Sequence, residues 1–222
     1  MPRFFLMLEF YAIPVSLYCA KLRILLRHKG LAWQEQPPPG GYGSDEYKQI
    51  VASGNLPALR DGDLLLADGE AIAEYLNDKH PDSAMLPDKT ADRARIRERS
   101  RFHDTRLEPA LRKLFPTLNS ELREPDLAKT QSQELTTRLA QLAVLLADDL
   151  AAPDWPHSDL TLADCGFPIT FAWIDSLTPV MELQIGWPDA VLAYRDIIET
   201  FPAVTAELDD YKPKLAAYLA SL

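Results

Sequence analysis

Phe4 to Tyr11 is a mostly apolar run of strand length, and Tyr18, Leu22, Leu25 and Leu26 then recur at i, i+4, i+7 and i+8. That spacing predicts an amphipathic helix, which Gly30 closes. Ala32 to Gln36 reads as a second, short strand. Pro37-Pro38-Pro39-Gly40-Gly41 is a turn-rich loop, and a weak helix follows around Ser44 to Val51. Ala58 to Arg60 and Leu64 to Ala67 flank Asp61-Gly62-Asp63 as two strands of a hairpin with a connection of about three residues. A helix entered at Gly69 runs on to His80, with Ala71, Ile72, Tyr75 and Leu76 on one face.

Beyond this β-α-β-α-β-β-α series the strand pattern stops. Pro81 and Met85-Leu86-Pro87 mark a linker, so the pattern divides the chain into an α/β unit over residues 1–80, a linker over 81–90 and an all-α unit over 91–222. The helical part opens with a basic helix from about Thr90 to Phe115, which Pro109 is expected to kink. A second helix, about Leu127 to Leu150, carries Leu135, Leu139, Leu142, Leu146 and Leu150 at spacings of three and four. Thr161-Leu162-Ala163-Asp164 then reads as a capping box, the hydroxyl meeting a free N–H and the acid reaching back. Helices around Ala190 to Thr200, Ala203 to Tyr211 and Lys214 to Leu222 complete the unit.

Composition narrows the function classes. The 222 residues are 47% hydrophobic and 25% charged, enough for a sizeable core, and the net charge is −10. An acidic chain lacks the basic field that nucleic acid or an anionic membrane surface requires, so neither is expected as a partner. No apolar run approaches the roughly 18 residues of a spanning helix. Glu9 interrupts the apolar start, and no basic segment with a cleavage site accompanies it. Two cysteines, Cys19 and Cys165, are too few for a disulfide framework, which points to a cytoplasmic protein. No metal is expected.

The chemistry concentrates between Gly54 and Leu76. Pro57 at the mouth of a strand cannot donate to the ladder, so Leu56 can offer its N–H and C=O to an extended peptide from outside. The helix entered at Gly69 has unpaired N–H groups and a positive dipole end, a seat for a carboxylate. The pair suits a short peptide with an acid end.

The β-α-β-α-β-β-α order is that of the thioredoxin fold, with Pro57 where that fold keeps its cis-proline. Such a unit followed by an all-α unit, with Leu-Pro-Ala-Leu (56–59), Asp-Gly-Glu-Ala-Ile-Ala-Glu-Tyr-Leu (68–76) and Thr-Leu-Ala-Asp (161–164) in that order, resembles the cytosolic glutathione transferase superfamily. The resemblance implies glutathione as co-substrate, with Leu56 and Pro57 at its cysteinyl part and Asp68 and Gly69 at its γ-glutamyl end. Gly69 stands where the family usually has serine, so a hydroxyl donor worth about 0.5–1.5 kcal/mol is missing.

Catalysis in such a family needs the glutathione thiolate, and a free thiol has a pKa of about 8.5. The stabilising group is expected at the start of the first helix. Ser16, three residues before Cys19, resembles the theta- and zeta-like arrangement and is the leading donor; the same residue also reads as a plain N-cap. Tyr11 is the runner-up, one residue out of register with the classes that use a tyrosine. Cys19 in Ser-Leu-Tyr-Cys has the spacing of a Cys-x-x-Cys motif without its first thiol, so it reads as a buried small residue.

The electrophile is expected between an apolar wall of Ile13, Pro14 and Val15 and a face carrying Phe102, His103 and Arg106. Arg93, Arg95, Arg97, Arg99 and Arg101 read as a solvated or dimer-facing surface. The resemblance thus implies a homodimeric transferase joining glutathione to a small hydrophobic electrophile. A glutathione-dependent isomerase or dehalogenase, a non-catalytic binding protein of the same fold and a disulfide reductase are the alternatives.

Overall fold

The computed structural model describes residues 7–150 and 159–222. The chain divides into two units between Ala84 and Met85.

In the first unit, β1 (Leu8–Tyr11) is followed by α1 (Leu17–His28), β2 (Trp33–Gln36), α2 (Asp45–Lys48), β3 (Ala58–Asp61), β4 (Leu64–Leu66) and α3 (Gly69–Lys79). The strand expected from Phe4 begins only at Leu8, and Phe4 to Leu6 lie outside the described residues. The sheet order is β2-β1-β3-β4. β1 and β2 run parallel, Leu8 opposite Trp33, which requires the crossover that α1 supplies. β1 and β3 are antiparallel, with Tyr11 opposite Ala58.

Asp61 pairs with Leu64, so the hairpin turns on Gly62 and Asp63 alone, one residue shorter than expected. Gly62 has φ +60°, as a tight turn with glycine at its first central position requires. Phe10, Leu22, Leu25, Leu26, Leu59, Ile72 and Leu76 form the core. Lys21, Arg23 and Lys29 of α1 and its C-cap are nonetheless buried, each with acceptors: the Lys29 Nζ donates to the carbonyls of His80 and Ser83 at 3.0 and 2.6 Å.

The second unit is helical throughout its described residues. α4 (Thr90–Phe102) does not run to Phe115: it widens into a π turn over His103–Leu107, and α5 (Glu108–Arg112) restarts with Pro109 in its first turn. Proline has no N–H to give the previous turn, and the break falls ahead of it for that reason. α6 (Pro125–Leu150) buries Leu135, Leu139, Leu142 and Leu146 completely. The side chain of Leu150 lies outside the described residues. α7 (Phe167–Met181) is buried without interruption from Phe167 to Ile174, and α8 (Asp189–Ile198) packs beside it.

α9 (Pro202–Ala220) is one helix where two were expected. Pro213 sits inside it, exposed, and Asp209, whose carbonyl loses its partner, is exposed too, so water can take the bond. The buried face of Ala203, Val204, Leu208, Tyr211 and Leu215 continues at helical spacing across the proline, and that packing outweighs the break.

The capping box forms around a 3-10 turn, Leu162–Cys165, that leads into α7. Asp164 accepts from the Thr161 N–H at 2.8 Å, the Thr161 hydroxyl at 2.6 Å and the Tyr194 hydroxyl at 2.6 Å. Next to it, Gly166 lies flat against His103: an added Cβ would stand 2.5 Å from two ring atoms. That ring is held by Asp104 and Thr170, both at 2.8 Å, and by the edge of Phe167. It has nowhere to retreat. Gly166→Ala is therefore expected to cost about 3 kcal/mol or more, read as a lower denaturant midpoint with an unchanged slope; a loss below about 1 kcal/mol would show that the ring can move.

Candidate functional site

The loop between β1 and α1 ends at Ser16, which N-caps α1 in extended geometry, φ −69° and ψ 124°. Its Oγ accepts from the Cys19 N–H at 3.3 Å. The hydroxyl thus stands at the positive end of a twelve-residue helix. Cys19 reports the local field. Burial pushes its thiol up, while the Ser16 hydroxyl, a backbone N–H bond and the Arg23 guanidinium pull it down. The thiol is fully buried, its Sγ directed at the Tyr11 carbonyl 4.0 Å away, so it is shielded from a substrate.

Tyr11 ends β1 half-buried, its ring edge-on to Tyr47 with centroids 5.3 Å apart. Tyr47 is fully buried, and its hydroxyl donates to the Asn55 carbonyl at 2.9 Å. Gly54, φ +67°, leaves little room for a side chain, because a Cβ would meet the Gly43 Cα at 3.2 Å. Tyr47 and Gly54 together fix the chain just ahead of Leu56.

The Leu56–Pro57 bond is cis. No described residue engages the N–H or C=O of Leu56. Asp68 N-caps α3, its Oδ1 accepting from Glu70 N–H at 3.1 Å and Ala71 N–H at 2.9 Å. The second oxygen, Oδ2, points to no described partner, and the Gly69 N–H is likewise unengaged among the described residues. A Cβ built on Gly69 would lie 3.9 Å from Pro57 Cδ, so the fold brings Pro57 and Gly69 into contact distance. The geometry offers a backbone donor and acceptor for a peptide, then an N–H and a carboxylate oxygen suited to an amino-acid head group.

Two ion pairs, one buried and one reaching the surface at Glu35, support these elements. Lys21 Nζ of α1 meets Glu70 Oε2 of α3 at 2.8 Å. Arg23 grips Glu35 of β2 through Nε and Nη2 at 2.7 and 2.8 Å. Sequence reading missed all four. The one signal was two cations inside an apolar helix, and nothing local named their acids.

The residues expected around the electrophile are placed as follows. Ile13 and Val15 are half-buried and Pro14 exposed in the first unit; Phe102 is half-buried and Arg106 exposed in the second. His103 does not offer an open face: it is 1% exposed, and both ring nitrogens are engaged inside the helical unit. Arg99 also departs from expectation, buried at 2% exposure, while Arg95 and Arg101 are exposed. Among the described residues no three His, Cys, Asp or Glu side chains cluster to hold a metal, and no helix is long and apolar enough to cross a membrane.

Residues 10–84 match the family described as glutathione S-transferase, N-terminal domain. Among curated relatives, a stringent starvation protein A homolog of Coxiella burnetii is 26% identical over 161 residues, 70% of each chain. Glutathione S-transferase Z2 of Arabidopsis thaliana is 36% identical over 96 residues, 39% of this chain and 43% of the relative. Among solved structures, a maleyl pyruvate isomerase, titled a bacterial zeta-class glutathione S-transferase, superposes with a TM-score of 0.73 at 20% identity, covering 90% of this chain and 95% of that one. A tau-class glutathione S-transferase from mango, Mangifera indica, gives 0.78 at 17% identity over 97% and 98%. Both likenesses are of fold, extending from the sheet through the helical unit. Residues 10–84 therefore carry a glutathione S-transferase N-terminal domain, and the chain as a whole shares its fold with solved glutathione S-transferases.

Proposed function

We propose that the chain is a glutathione transferase that attacks a small hydrophobic electrophile with the glutathione thiolate. The observation that carries this reading is the unengaged backbone of Leu56 beside Pro57 and the start of α3. Leu56 pairs with the cysteinyl backbone, the Gly69 N–H meets the γ-glutamyl carboxylate, and Asp68 Oδ2 meets its ammonium. Ser16 then donates to the sulfur. Lowering a thiol pKa by two units takes about 2.7 kcal/mol. A hydrogen bond to a charged acceptor supplies about 1.5–3 kcal/mol and a helix N-terminus about 0.3–1 kcal/mol more. The two together suffice.

The electrophile meets Ile13, Pro14 and Val15 of the loop that ends at Ser16. The protein acts in the cytoplasm as a homodimer, which light scattering checks. Reversible addition to a conjugated double bond, or displacement of halide, uses the same thiolate and the same residues.

Isothermal titration with glutathione tests the reading, and Gly69→Ser sharpens it. Gly69 has ordinary helical backbone, and the space beyond its Cα is open save for Pro57 Cδ, so serine fits. The added hydroxyl is expected to tighten glutathione binding about 2- to 10-fold, with Gly69→Ala as the control that gains nothing. Equal affinities in the three proteins would remove the carboxylate from this seat.

A second reading, a binding protein of the same fold without turnover, is favoured by Gly69 and by the relative spanning 70% of the chain, whose name refers to starvation and to no transfer reaction. It predicts glutathione binding without a lowered thiol pKa, or no binding.

A further inference from the structure

We propose that Arg23 is a positioning residue for Ser16, acting through the two carbonyls of the loop that delivers the serine; this rests on the glutathione-thiolate reading above. The loop from Ala12 to Ser16 is tied down at several points, an Ile13 backbone bond to the Cys19 thiol among them. Its Ala12 N–H donates to the Gln36 carbonyl at 2.9 Å, and its Ser16 N–H turns back to the Ile13 carbonyl at 3.3 Å. Pro14 has no N–H to contribute. Its orientation also depends on what holds its carbonyls.

Arg23 lies two helical turns beyond Ser16 with its guanidinium folded back beneath the loop, 5% exposed. Nη1 donates to the Pro14 carbonyl and Nη2 to the Ile13 carbonyl, both at 3.4 Å. These bonds are long, so they orient more than they stabilise. What makes them directional is Glu35. The acid takes Nε and Nη2 in a fork, fixing the plane of the guanidinium, and Trp33 Nε1 holds the same Oε1 at 3.1 Å. β2 thereby sets Arg23, Arg23 sets the loop, and the loop sets the serine.

A lysine would keep the charge and lose the fork. The guanidinium and the carboxylate act on the neighbouring Cys19 thiol in opposite directions, so their fields at a sulfur near Ser16 oppose each other. The two modes of action thus differ in sign. If Arg23 acted as a cation, removing the balancing charge in Glu35→Gln would lower the pKa of bound glutathione; if it positions Ser16, loosening the fork raises it.

The experiment measures glutathione affinity by calorimetry, the pKa of the bound thiol by thiolate ultraviolet absorbance, and kcat and KM with a chromogenic electrophile. Wild type is compared with Arg23→Lys, Glu35→Gln and Glu35→Asp, the last keeping both charges while drawing the guanidinium away from the loop. The expected result is a Kd within about 3-fold of wild type, a thiol pKa higher by about one unit, and kcat lower by about 10-fold with KM for glutathione little changed. Retained binding shows that the site is folded, and Glu35→Asp carries the test should Arg23→Lys unfold. Wild-type thiol pKa and kcat in the variants, or a lowered pKa in Glu35→Gln, overturns the positioning role. A wild-type chain that binds no glutathione overturns the reading beneath it.

Discussion

Ser16→Ala is expected to reduce kcat/KM about 10- to 150-fold while changing glutathione affinity little. The range is the worth of one hydrogen bond to a charged acceptor, about 1.5–3 kcal/mol. Affinity is spared because the proposed binding mode holds the peptide elsewhere, by Leu56, Gly69 and Asp68. The same hydroxyl caps α1, so the variant also loses about 1 kcal/mol of stability. That loss leaves the fold standing, and Ser16→Thr, which keeps a hydroxyl, should recover both properties in large part. Steady-state kinetics with a chromogenic electrophile separates the effects. An unchanged rate in Ser16→Ala would leave the serine as a cap only and move the donor role to Tyr11.

The largest effect on stability is expected at Lys21 and Glu70. Both side chains are nearly buried, 6% and 12% exposed, and their charged atoms are 2.8 Å apart. Removing one leaves the other charge stranded in the interior, which costs about 3–5 kcal/mol. A whole domain has only about 5–15 kcal/mol in hand. Lys21→Ala or Glu70→Ala should therefore lower the denaturation midpoint sharply, whereas Lys21→Met combined with Glu70→Leu should come close to wild type. The pair joins the helix that begins after Ser16 to the helix that begins at Gly69, so the single variants should weaken glutathione binding as well. A single variant losing less than about 1 kcal/mol would mean that water reaches the stranded charge.

Elements governed by neighbouring residues were legible in the sequence. The hairpin at Gly62, the entry to α3 through Asp68 and the leucine spacing of α6 each depend on chain positions a few residues apart. Pro213 misled because its local rule was overridden by the buried face of α9, which continues past it. Pro109 announced a break but not its form, since a π turn is one of several ways to lose a bond.

At the candidate site, Ser16, Leu56, Pro57, Asp68 and Gly69 could be named because each has a backbone task tied to its residue type. What supports them could not. Lys21 meets an acid 49 positions away, Arg23 one 12 away on a strand, and Tyr47 reaches a carbonyl across a loop. Spacing along the chain holds no record of these pairings. His103 failed in the opposite sense: its helical spacing suggested a face shared with Phe102 and Arg106, but Thr170 and Gly166 make a closed seat for it in the interior.

The central claim is that this chain binds glutathione and holds its sulfur as the anion. Titrating the ultraviolet absorbance of the thiolate in the complex with wild-type protein tests it most directly. The expected bound-thiol pKa lies about two units below the free value of about 8.5, a shift lost in large part in Ser16→Ala. A bound thiol that titrates at its free value, or no complex at all, would contradict it.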